Sequence, residues 1–392
     1  MSTRPLTVAW FSFFPVEWLP DVPDYVQKLP RGHPATWQRV LLEELETNPA
    51  FKLHVIVLRK QFDQDRQFER HGVTFHLLKT PGGLRAPSLF WLDTFRIRHV
   101  LRRVRPDVVH AWGAENGAAL VASRLGYPYL VTMQGLMSWI VTLVPPTRYD
   151  RLVAFLEKPS LRRASLVTAE SGFAIRYLRE HHPHLDLRQV EHAPRWLFHQ
   201  VLRQPQGPPW RFVFVGSLTH LKGVDLMLQA LDRIKGEVPF ELSLIAGPAN
   251  AFLNTVKASV SAELWSRLTF HHNLTPEEIS AQFATATLLL CPTRADNSPN
   301  AVKEAVVAGL PVVASAVGGI PDYVFPEENG LLFPAGDVAQ CAAAIRAAML
   351  HPLFSKGLVS SAALEKVRAY LSPEMMSRKF ADLYRSLACP AG

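Results

Sequence analysis

The sequence predicts an α/β protein built from two doubly wound domains. Three observations carry this. The chain has 392 residues and is 48% hydrophobic, enough for more than one buried core. Short apolar runs alternate with longer amphipathic ones, the pattern of a parallel sheet with crossover helices. A Gln-Pro-Gln-Gly-Pro-Pro stretch at 204–209 interrupts that alternation, which then restarts from a fresh apolar run.

In the first half the strand candidates are residues 7–11, 53–58, 73–77, 107–111, 129–132 and 165–168. Each is a short run rich in Val, Ile, Leu and aromatics. Helix candidates at 36–46, 92–104, 116–125 and 172–181 lie between them, with apolar residues three and four apart. Past the proline-rich stretch come strands at 212–215, 242–246, 288–291 and 311–314 and a helix at 224–234. The expected organisation is a first domain over 1–203, a second over 204–370, and a closing segment, 371–392, that forms a helix packing back on the first. Ligand is expected in a cleft between the domains, at the carboxyl ends of the strands.

Several function classes lose ground. Three cysteines without CxxC spacing argue against a disulfide framework or zinc cluster and favour a reducing, cytoplasmic setting. Neither GxGxxG nor GxxxxGK[ST] occurs, which counts against dinucleotide dehydrogenases and P-loop NTPases. The apolar start of the chain runs into Pro15 without a small-residue cleavage site, so no signal peptide is expected. The charge-free stretch 125–147 is cut by Pro128, Gly135, Pro145 and Pro146, so no membrane span is expected there. Asp63-Gln64-Asp65 has cation-binding spacing but sits among Lys60, Arg66 and Arg70, and reads as a solvated charge run.

The net charge of +8 is unevenly placed. The first 200 residues hold 26 Lys+Arg against 18 Asp+Glu; the rest hold 16 of each. A basic half attracts anions, with a plain solvated surface as the alternative. The cations are scattered and no nucleic-acid motif occurs, so nucleic acid is not an expected partner.

Two segments of the second half carry chemistry. Asp296-Asn297-Ser298-Pro299-Asn300 follows the 288–291 strand and leads into a helix ending near Gly309. Ser298 then Pro299 reads as an N-cap followed by the first helical residue. That would leave the amides of Asn300, Ala301 and Val302 facing an anion, favoured by the helix dipole. Glu304 follows in the second turn among apolar neighbours. It is either an ordinary glutamate on a wet face or a carboxylate with hydroxyl or cationic partners. The other segment, Gly216-Ser217 through Lys222-Gly223, follows the 212–215 strand and puts a lysine where it can reach a phosphate.

Together these resemble the family 4 retaining glycosyltransferases of the GT-B architecture, the group 1 glycosyl transferases. The resemblance rests on Asp296, Glu304 eight residues later, and the run Ala308-Gly309-Leu310-Pro311-Val312. Gly216 with Lys222-Gly223, Arg105-Pro106-Asp107 through His110, and Val317-Gly318-Gly319-Ile320-Pro321 extend it along most of the chain. It implies two Rossmann-like domains, a nucleoside-diphosphate sugar as donor, no metal or other cofactor, and a glycan, lipid-linked or small-molecule acceptor. It also implies that Lys222 and Asp296 act in catalysis, with Asp296 on the donor sugar hydroxyls and Lys222 on the leaving diphosphate. Glu304 would hold the ribose, and Gly216, Ser217, Ser298, Asn300, Ala301 and Val302 would complete the donor site.

The chain departs from the family pattern in several places. An aspartate replaces the usual first glutamate, Ser217 replaces an arginine beside the lysine, and Thr132-Met133-Gln134-Gly135 stands for Thr-x-His-Gly. Arg31-Gly32-His33-Pro34 stands where a Gly-Gly pair is usual. On the acceptor side Gly32, His33, His110, Gln134 and Gly135 are therefore the candidates. Ser217 and Gln134 favour a second reading, a sugar- or nucleotide-binding protein that has lost the chemistry; Lys222, Asp296 and Glu304 count against it. An epimerase or phosphorylase on the same architecture is a third. Residues 90–105, with Phe90, Trp91 and Phe95 ahead of five arginines, read as a basic amphipathic helix suited to an anionic membrane surface. With the apolar 136–144 segment this predicts peripheral contact through the first domain at the inner face of a membrane. Packing of that helix on its own sheet is the alternative.

Overall fold

The computed structural model describes every residue except 1–3, 33–34, 144, 238, 249 and 390–392. The chain divides into two compact units: residues 1–192 with 373–392, and residues 193–372.

Among the described residues the first unit is built on an eight-stranded sheet. In chain order its strands are β1 (Leu6–Ser12), β2 (Phe51–Arg59), β3 (Arg66–Arg70), β4 (Val73–Lys79), β5 (Val108–Trp112), β6 (Tyr129–Thr132), β7 (Leu166–Ala169) and β8 (Leu187–Gln189). Their spatial order is β3-β4-β2-β1-β5-β6-β7-β8, parallel except for β3, which runs antiparallel to β4. β5, β6 and β7 are buried at every position, as parallel strands covered on both faces must be. The polar strand β3 lies at the edge and half exposed, so it has no continuous apolar run to announce it.

The second unit carries a six-stranded parallel sheet among the described residues. Its strands are β9 (Trp210–Val215), β10 (Phe240–Ala246), β11 (Leu268–His272), β12 (Leu288–Cys291), β13 (Val312–Ser315) and β14 (Gly330–Phe333), in the order β11-β10-β9-β12-β13-β14. The chain reverses its direction of winding between β9 and β12. The loops leaving these two strands therefore diverge at their carboxyl ends and leave a crevice for ligand.

The boundary lies eleven residues before the proline-rich stretch. Phe198 and Val201 are buried in the core of the second unit. The Gln204 amide donates to the Ala284 carbonyl at 2.8 Å, and Arg203 donates to the Ala286 and Gly357 carbonyls. The segment expected to be a linker is thus fastened to the second unit by backbone hydrogen bonds. The last helix, Pro373–Ala388, belongs to the first unit, where the fully buried Phe380 and Tyr384 pack against the aromatic side chains of β1 and β5.

Candidate functional site

The loops after β9 and β12 are stitched together before either presents a side chain. The Arg294 amide and the Thr293 hydroxyl both donate to the Leu221 carbonyl, at 2.8 and 3.1 Å. The Arg294 guanidinium donates to the His220 carbonyl and grips Asp225 with two bonds of 2.7 and 2.9 Å. Gly223, at φ +71°, closes the junction: a Cβ there would lie 2.0 Å from the Pro292 carbonyl oxygen. Only glycine permits the two loops to approach so closely.

This stitching places Lys222 against Asp296. The ammonium donates to Asp296 Oδ2, and Oδ1 accepts from the Ser298 amide at 3.2 Å. Burial works against the lysine's charge, but the Asp296 carboxylate more than offsets it and holds Lys222 above its ordinary value. The aspartate is backed by a third loop. The Gly319 amide donates to the Asn297 carbonyl at 2.7 Å, and a Cβ on Gly318 would fall 1.8 Å from the Asp296 carbonyl oxygen.

The helix after Asp296 runs Asn300–Ala308, starting one residue later than the sequence suggested. Pro299 is extended and occupies the capping position, with no side-chain capping bond. Ser298 is not the cap: its hydroxyl instead shares a hydrogen bond with the Tyr323 hydroxyl at 3.1 Å. The Val302 amide is taken by the Pro299 carbonyl at 3.1 Å, so it is not one of the expected anion-facing amides.

Glu304 is buried, which excludes the wet-face reading. Burial pushes its carboxyl up to about 8, against the pull of Lys303 and Arg195. Among the described residues the carboxyl accepts no hydrogen bond from protein. Gly216 donates its amide to Ile245, and the exposed Ser217 accepts from the Thr219 amide through its carbonyl.

The first-unit candidates do not gather in the same way. His33 lies outside the described residues. Gly32 is held by Glu17 Oε1, which accepts its amide at 3.1 Å, while Glu17 makes a buried pair with Arg59 at 2.7 Å. His110 has no place on an acceptor surface. It is fully buried, with Nδ1 2.7 Å from the Tyr384 hydroxyl and Nε2 2.6 Å from Thr132 Oγ1, and it stacks on Trp112. Both ring nitrogens are spent in the core, so the ring has no valence for a substrate.

Gln134 and Gly135 follow β6, and the Gly135 amide donates to Glu115 Oε1. Glu115 was not singled out from the sequence, though it stands three residues past the apolar run of β5. Desolvation in this slot pushes its carboxyl up to about 7, against hydrogen bonds from backbone amides that include Gly135's. Arg294 and Asp225 were missed because their contact joins positions 69 residues apart.

This arrangement can be set beside known proteins. Residues 209–351 match the model of the glycosyl transferases group 1, and residues 38–196 that of the glycosyl transferase 4-like domain. The chain belongs to this glycosyltransferase family. Among curated relatives it is 30% identical over 255 residues to the 2-deoxystreptamine glucosyltransferase of Streptomyces kanamyceticus, covering 60% of this chain and 65% of that one. It is 25% identical over 300 residues to the sulfoquinovosyl transferase SQD2 of Arabidopsis thaliana, covering 70% and 56%. The matches thus span less than two thirds of those relatives' own lengths.

Among solved structures, the sucrose-phosphate synthase of Thermosynechococcus elongatus superposes with a TM-score of 0.80 at 20% identity, covering 97% of this glycosyltransferase and 99% of that chain. Anabaena HepE in complex with UDP and glucose gives 0.70 at 14%, covering 97% and 100%. These likenesses establish the GT-B fold.

Proposed function

We propose that the protein moves a sugar from a nucleoside-diphosphate donor to an acceptor hydroxyl with retention at the anomeric carbon. The observation that carries this is Glu304, a buried carboxyl without a protein hydrogen bond on the helix whose mouth lies beside Lys222 and Asp296. A buried acid in that state calls for donors from a ligand, and a ribose diol supplies two hydroxyls. Lys222 and the amides of Asn300 and Ala301 then meet the diphosphate, where negative charge grows as the glycosidic bond breaks. Asp296 keeps a second lone pair on each oxygen for a sugar hydroxyl. No metal or other cofactor enters this reading.

The test is a thermal-shift panel with UDP, GDP and ADP on the wild type and on Glu304→Ala. Ligand at about 100 times its dissociation constant stabilises by about 2.7 kcal/mol. One nucleotide shifting the wild type and not the variant supports the reading; no shift, repeated with intact sugar nucleotides, sinks it. The HepE structures named with UDP and UDP-glucose put uridine first in the panel.

The acceptor reading is a lipid-linked or other glycan met at a membrane's cytoplasmic face. Among the described residues no helix is long and apolar enough to cross a membrane. Support for peripheral contact comes from helix Trp91–Val104, where Trp91 is 43% and Phe95 59% exposed. Two of its arginines are already engaged, Arg96 with Asp65 and Arg98 with the Arg124 carbonyl, which leaves the exposed Arg102 to carry the attraction. Helix Arg148–Leu161 adds Phe155, 75% exposed, between Arg151 and Lys158. Flotation with anionic liposomes at low salt decides; no binding ends the membrane part of the proposal.

A further inference from the structure

The first unit has a second cluster of polar side chains, far along the strands from the loops at their carboxyl ends. Near the starts of β2 and β4 a cavity of about 260 Å³ is lined by Lys52 and His54 from β2, His76 from β4, Gln67 from the edge strand β3, and Arg103 from the last turn of helix Trp91–Val104. Val100 and Val104 of that helix form its apolar wall. Among the described residues no carboxylate lines it. The acid on the edge strand, Glu69, accepts from the hydroxyl of Thr74, its direct register partner, and Thr74 in turn pairs with His54.

Among the described residues Lys52 and Arg103 have no ion pair, and the Gln67 side chain has no hydrogen bond. The two imidazoles have only each other: His54 Nδ1 lies 3.1 Å from His76 Nε2, with the rings stacked. That single bond leaves His54 Nε2 and His76 Nδ1 to face the cavity's other occupants. Two full positive charges and two imidazoles therefore share one cavity with no counter-charge. The partial negative end of the helix that supplies Arg103, roughly half an elementary charge, is small against them.

We propose that this cavity binds a small soluble phosphomonoester, a site separate from the one built by Lys222, Asp296 and Glu304. Lys52 and Arg103 supply charge-assisted bonds to the phosphate oxygens, the Gln67 amide and the protonated one of the two outer imidazole nitrogens donate to those that remain, and the other nitrogen donates once the pair takes up a proton. The valine wall accommodates a short carbon body attached to the phosphate. Burial, then His76 and Lys52, hold the His54 ring down at about 4, as expected for an imidazole facing positive charge without an acid. A bound dianion reverses that field and draws protons onto the pair.

The test titrates glycerol 3-phosphate into the full chain labelled at histidine, reading the imidazole resonances of His54 and His76 by NMR. The resonances are assigned with His54→Gln and His76→Gln. Saturable shifts at both rings are expected, with affinity about tenfold weaker or more for each cation removed in Lys52→Ala and Arg103→Ala. Both residues are exposed, so the variants keep the wild-type melting temperature without ligand, which is checked by circular dichroism. Shifts at neither ring, or wild-type affinity in both variants, overturn the proposal. A response to dioctanoyl phosphatidate but not to glycerol 3-phosphate overturns the soluble-ligand assignment. The readout sits on the two rings, so it does not depend on whether Glu304 binds a nucleotide.

Discussion

The two units use their polar residues in opposite ways. In the second, the loops after β9 and β12 are cross-linked by Arg294, Thr293 and Gly223, and the result is to hold one lysine against one aspartate beside a helix mouth. In the first, the polar groups around β1, β5 and β6 are turned inward. His110 bridges Tyr384 and Thr132, Glu17 pairs with Arg59, and Glu115 takes the Gly135 amide. A polar residue next to a strand end is therefore not a site by position alone. What separates these two sets of residues is whether the side chain's hydrogen-bonding capacity is already spent within the fold.

The largest effect expected from that contrast is at Lys222. Lys222→Ala removes a cation from the place where diphosphate charge develops, and a loss of about 10²–10³ in turnover is expected. The ion pair with Asp296 is about one-third exposed on the lysine side, so the folded state should lose little by comparison. Steady-state kinetics beside a thermal melt separates the two effects. An unchanged turnover number would falsify the diphosphate role.

His110→Ala should show the reverse pattern. It strips partners from the Tyr384 and Thr132 hydroxyls in a dry core and removes a ring stacked on Trp112, for a cost of about 2–3 kcal/mol. Turnover per folded molecule should stay at the wild-type level. If activity collapses while the melt is unmoved, the first unit has a working histidine and the contrast fails.

How far the sequence reveals each unit follows from the same contrast. Asp296 and Glu304 sit eight residues apart on one loop and helix, so their pattern can be read along the chain. The alternation of apolar runs likewise reveals β1, β2, β4, β5, β6 and β7 in the first sheet and β9, β10, β12 and β13 in the second. Polar or short strands do not show: β3 is pinned by pairing with β4, and β8 is three residues long. The role of His110 depends on Tyr384, 274 residues away, on a helix that the local pattern cannot connect to β5. The helix start at Asn300 rather than Pro299 turns on Tyr323 competing for the Ser298 hydroxyl.

The pH dependence of Glu304 sharpens the comparison further. Its folded carboxyl titrates near 8 against an ordinary 4.5, so between those values the folded chain holds a proton the unfolded chain has lost. Stability should therefore fall as pH rises through that window and level off above it. Glu304→Gln removes the contribution, so the variant should gain on the wild type as pH rises from 5 toward 8 (about those limits). Equal slopes in denaturant titrations across the window would show the carboxyl to be ionised and solvated. Ribose hydroxyls donating to the carboxylate should lower its pKa, so nucleotide binding should release protons. Calorimetry in buffers of different ionisation enthalpy measures that release.

The smallest effect concerns Ser217, where the chain lacks the arginine its family resemblance leads one to expect. Ser217 is exposed and ties down the loop only through its carbonyl, so a larger side chain can be accommodated without disturbing the turn. Ser217→Arg should leave stability within about 0.5 kcal/mol of wild type. If Lys222 marks the diphosphate position, the added guanidinium should offer a second, forked contact to the same oxygens. Partial solvent screening limits the gain to about tenfold in nucleotide affinity, lost at high salt. A salt-sensitive gain confined to nucleoside diphosphates, absent for the nucleoside, would place the phosphates over this loop. A gain of equal size for the nucleoside, or no gain at low salt, would instead move the phosphates away from it and leave the helix mouth at Asn300 and Ala301 to hold them without Ser217's neighbourhood.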